Sequence, residues 1–181
     1  MKKLFWLLFL MANTAQAQFQ ERYDMEIGFQ YNAPERWFHN DPDNYSRKNE
    51  GVGFFLNVEQ KTTERLRLGT KLEYAFVTEN ARTDDIGAYE ILSLVGTGQY
   101  YFMGEKDFSP FVGVGAGAFH VVREQPATNV GVEAFVRVRY QIVQLSMGYD
   151  RIINPIDYDY NVKGGFDNYY IPIRLGFKLW R

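Results

Sequence analysis

Between Leu66 and Phe76 the chain sorts into two interleaved sets. Leu66, Leu68, Thr70, Leu72, Tyr74 and Phe76 form one, and Arg67, Gly69, Lys71, Glu73 and Ala75 the other. A helix brings together residues three and four apart, whereas a strand sends alternate side chains to opposite faces, so only a strand gives this stretch one apolar and one polar face. The same period recurs along the chain. Tyr23, Met25, Ile27, Phe29 and Tyr31 oppose Asp24, Glu26, Gly28 and Gln30, and Val52, Phe54, Leu56 and Val58 oppose Gly53, Phe55, Asn57 and Glu59. A fourth run places Leu92, Leu94, Gly96, Gly98, Tyr100 and Phe102 on one face, with Ile91 and Val95 blurring the pattern.

The second half repeats the arrangement. Pro110, Val112, Val114, Ala116 and Ala118 alternate with Gly113, Gly115 and Gly117, and the run from Val130 to Tyr140 opposes Gly131, Glu133, Phe135, Arg137 and Arg139. Val143, Leu145, Met147 and Tyr149 face Gln144, Ser146, Gly148 and Asp150; the last run carries Tyr169, Ile171, Ile173, Leu175, Phe177 and Leu179 against Arg174, Gly176, Lys178 and Trp180. Long polar connections are expected after the odd-numbered strands, including Ala33–Glu50, Glu79–Ala88 and Arg151–Asp167, and short turns after the even ones. That asymmetry and an even strand number describe an all-β, antiparallel up-and-down barrel of about eight strands.

Two orientations of such a barrel share one alternation, and volume separates them. The apolar face carries far more Phe, Tyr and aliphatic side chains than an eight-stranded barrel can enclose. It therefore points outward, into lipid, and the barrel is transmembrane. Aromatic residues near strand ends, among them Tyr31, Tyr74, Phe76, Tyr100, Tyr140, Tyr149 and Phe177, fit the two interfacial girdles. The Gly-x-Trp that soluble lipocalin barrels carry near the first strand is missing. Aromatics make up 17% of the chain, yet mean hydropathy is −0.35, as expected when only alternate residues meet lipid.

The first residues have a different character. Lys2 and Lys3 precede an apolar run from Leu4 to Ala12, and the stretch ends Ala15-Gln16-Ala17. That run is about half of the ~20 residues a helix needs to cross a bilayer, so residues 1–17 read as a cleaved export signal and 18–181 as the barrel domain. There is no cysteine, which excludes a disulfide framework and a lipoprotein anchor. Without Lys2 and Lys3, 18 basic residues face 22 acidic ones and no basic run stands out, so no nucleic-acid partner is expected.

With the apolar face outside, the inward face holds Asp24, Glu26, Glu59, Glu73, Glu133 and Asp150 against Arg67, Lys71, Arg137, Arg139, Arg174 and Lys178. Unpaired charges in so narrow an interior cost several kcal/mol each, whereas a balanced and hydrogen-bonded set fills it as a polar plug. A closed wall with little or no pore is the expectation. A narrow ion path along the same charges is the alternative.

These features resemble the small outer-membrane barrels typified by OmpA and OmpX, over Gln18 to the C-terminus. The resemblance rests on the leader, the strand spacing, the Pro110–Gly117 run Pro-Phe-Val-Gly-Val-Gly-Ala-Gly, and the terminal strand ending Phe177-Lys178-Leu179-Trp180-Arg181. It implies a bacterial outer-membrane location, contact with membrane lipid and lipopolysaccharide, and insertion by the barrel-assembly machinery. That machinery reads a terminal aromatic residue; here Trp180 is penultimate. The resemblance also implies a structural or interaction role, such as envelope integrity, adhesion or service as an accessory subunit to an envelope protein partner.

Some barrels of this kind modify lipid A with a Ser and a His at the outer rim. This chain has two histidines, His39 in the first long connection and His120 near the outer end of the fifth strand, and no serine adjoins either. The expectation is a protein that is not an enzyme and takes no cofactor. Asn40-Asp41-Pro42-Asp43-Asn44 gathers hard oxygen ligands but lacks the turn glycine and bidentate Glu of a calcium loop, and reads better as a solvated turn. Trp37, Asp41 and Asp43 in the first loop and Tyr158 and Tyr160 in the last are the candidate loop contacts for glycan, protein or lipopolysaccharide.

Overall fold

The computed structural model describes residues 22–33, 48–80, 86–104, 106–122, 126–153 and 169–179. The leader over 1–17, His39, the 40–44 stretch and all five candidate loop contacts lie outside them. Eight strands follow one another: β1 (Tyr23–Ala33), β2 (Lys48–Lys61), β3 (Leu66–Asn80), β4 (Ile86–Tyr101), β5 (Phe108–Val122), β6 (Ala127–Tyr140), β7 (Val143–Ile153) and β8 (Tyr169–Lys178). Each pairs antiparallel with its neighbours in sequence, and β8 pairs back onto β1, closing the barrel. Closure leaves no sheet edge, which a bilayer requires of a β-structure because lipid offers no hydrogen bonds.

The register sets the shape. Starting at Ile153 on β7, successive partners are Val130, Ala118, Leu94, Leu72, Leu56, Ile27 and Phe177, and the path returns to β7 at Val143, ten residues lower. A stagger of that size on eight strands tilts them by about 40°. Every residue on the path is aliphatic or aromatic and faces out. Phe29 is 68% exposed and Val114 64%, while the six acidic and six basic inward residues named above are each exposed by 9% or less. Polar inside and apolar outside is the inverse of a water-soluble fold, and it is the arrangement of a lipid-facing barrel.

The ends differ from the expected loop pattern. Residues 62–65, 102–107 and 141–142 join strands at one end, where Gln141 takes a positive φ of 54° and Gly104 one of 67°. At the other end the connection expected over Glu79–Ala88 shrinks to 81–85, because Glu79 pairs with Gly87 and Asn80 with Ile86. The one after β5 shrinks to 123–126, no longer than the turn at 62–65. The reason is that ladder bonds form whatever the side chains: β3–β6 continue as hairpins beyond the apolar band, where Thr78, Glu90, His120 and Thr128 replace apolar residues on the outward face. Phe102, expected on β4, lies in the turn after it.

Candidate functional site: the barrel lumen

Inward side chains stack in three tiers, and the middle tier is centred on Arg174. This β8 guanidinium donates from Nη2 to Asp150 Oδ2 at 2.6 Å, Glu73 Oε2 at 3.0 Å and Glu133 Oε2 at 3.5 Å, and from Nε to Gln30 Oε1 at 3.2 Å. Lys71 reaches Glu133 at 2.5 Å and Glu73 at 2.7 Å. Glu73 also accepts from Gln30 Nε2 at 3.0 Å and from the Tyr170 hydroxyl at 3.1 Å. Residues from β1, β3, β6, β7 and β8 thus converge on one point of the axis. Isolated, any of these charges would be costly in so buried a site; joined, they tie the five strands together.

The second tier lies toward the short turns. Asp24 pairs with Arg67, with Lys178 at 2.8 Å and with Arg139 at 3.7 Å. Arg137 reaches Glu26 at 3.0 Å and Glu59 at 3.5 Å, and Asn57 donates to Glu59 at 2.6 Å. Glu59 also accepts from Gln99 at 2.9 Å. Here cations meet aromatic faces as well as carboxylates. Tyr101 and Phe111 stack at 4.1 Å, Arg67 lies 4.5 Å above the Tyr101 ring and Arg137 4.8 Å above that of Phe135. The ring quadrupole gives guanidinium groups a favourable surface where carboxylates are fewer.

Glycines make room for these large groups. A Cβ on Gly113 would strike the ring of Phe135, and one on Gly176 the Glu26 carboxylate. Gly96, in contrast, faces outward and a Cβ there would meet only Ala116 O, at 3.8 Å.

The third tier, toward the long connections, is mostly apolar, although Asn32, beside Val77 at Gly51, and Asn129, opposite Phe119, are buried there too. Ala75, Val77, Tyr89, Ile91, Val95, Phe119, Val121, Ile152 and Tyr170 form one buried cluster across β3, β4, β5, β7 and β8. It lies above the Arg174 tier, toward the long connections. Charge counting does not find this tier, although Ile91 and Val95, which disturb the sequence pattern of β4, belong to it.

The eleven residues expected in the lumen network occupy these first two tiers: Lys71, Glu73, Glu133, Asp150 and Arg174 in the middle, Glu26, Glu59, Arg67, Arg137, Arg139 and Lys178 below. The aromatic floor of Tyr101, Phe111 and Phe135 completes them. Its signal in the sequence is parity, since all three fall on inward positions of their strands. No cluster of metal-ligating side chains occurs among the described residues. His120 faces Thr128 at the outer end, with Nδ1 and Oγ1 2.8 Å apart.

No protein-family model and no curated protein matches the sequence. Among solved structures, the fold is similar to that of Neisserial surface protein A, at 10% identity and a TM-score of 0.58, covering 86% of this chain and 95% of that one. Outer membrane protein OprG from Pseudomonas aeruginosa gives 14% and 0.53, covering 88% and 96%. The N-terminal β-barrel domain of OprF from the same organism gives 14% and 0.50, covering 86% and 96%. The alignments cover most of this chain and nearly all of each of those, so in fold this chain is a small eight-stranded β-barrel like these outer-membrane proteins.

Proposed function

We propose that this protein resides in the bacterial outer membrane as a closed, non-catalytic barrel with a structural or interaction role, such as envelope integrity, adhesion or accessory service to another envelope protein. The observation that carries the reading is the filled lumen: two charge-paired tiers beneath a continuous apolar cluster. Such an interior supports the wall and passes no solute, which leaves the ends and the lipid-facing surface as the working parts. Export by the leader and insertion by the barrel-assembly machinery belong to this reading.

A narrow channel is the second reading. Ser93 Oγ, Thr97 Oγ1 and both amide atoms of Gln144 are buried without a hydrogen-bond partner, and buried polar groups of this kind suit a wetted lumen. Conductance of the refolded protein in a planar bilayer separates the two. The closed reading expects no discrete steps; steps that vanish in Arg174→Gln would establish the channel instead. Lipid A modification is the third reading, and it centres on His120. Its partner Thr128 supplies no acidic group to orient the ring, as a general base requires. Lipid A that changes in cells expressing wild type but not His120→Ala would overturn the non-catalytic assignment.

A further inference from the structure

We draw no further inference here: the strongest candidate, the acidic side of the Arg174 tier in the barrel lumen, where Asp150 Oδ1 and Glu133 Oε1 are buried without a hydrogen-bond partner among the described residues, belongs to the site already described, and nothing else in the structure shows what would occupy it.

Discussion

Arg174 touches three carboxylates and a glutamine at once, so it is the residue on which the middle tier depends. Arg174→Met would leave Glu73, Glu133 and Asp150 facing Lys71 alone. The expected loss is about 3–5 kcal/mol, the cost of uncompensated buried charge, read as a lower urea midpoint for unfolding. Glycine gives a sharper contrast, because the same residue type plays opposite parts on the two faces. Gly113→Val, which drives its side chain into the Phe135 ring, should cost about 1–3 kcal/mol, whereas Gly96→Ala, with open space outside, should stay within about 0.5 kcal/mol of wild type. Urea titrations of the two variants check both. Gln141 holds a left-handed conformation in the two-residue turn after β6, so Gln141→Gly should stabilise the barrel by about 1 kcal/mol.

At the scale of the strand, β8 is the weakest part of the wall. It is 10 residues long, against 16 for β4. Its pairing with β7 runs from Val143↔Phe177 to Met147↔Ile173 and resumes only at Asp150↔Tyr170. Pro172 falls in the gap; it has no N–H to donate to a ladder. Amide exchange in the folded barrel should therefore be faster at Gly148, which lies opposite Pro172, than at Leu72 and Leu94 in the long β3–β4 ladder, and equal protection at the three positions would show the seam to be sound. Strand faces were legible from the sequence because a period of two assigns every residue once one is placed: Asp150 and Arg174 point in for the same reason that Met147 and Ile173 point out. Strand ends were not legible. Glu79, Gly87 and Asn80 look like loop residues, yet they pair, because backbone hydrogen bonds above the membrane do not depend on side-chain polarity.

For the molecule as a whole, the sequence carried the direction of the barrel but only part of its filling. Balanced charges at inward positions announced the two lower tiers, since a narrow interior admits charge only in pairs. The apolar tier escaped notice because Val77, Ile91, Val121 and Ile152 look, one by one, like residues that belong in lipid, and only the register of five strands shows them gathered on the axis. All of this depends on a closed barrel that stands in a membrane with its apolar face outward. The most direct test is the gel mobility of the outer-membrane fraction with and without boiling. A closed, fully hydrogen-bonded barrel resists detergent until heated, so the unboiled protein is expected in that fraction and at a different mobility from the boiled one. Recovery from the soluble periplasm, with one mobility under both conditions, would contradict the inside-out assignment and turn the apolar face back into the core of a soluble barrel.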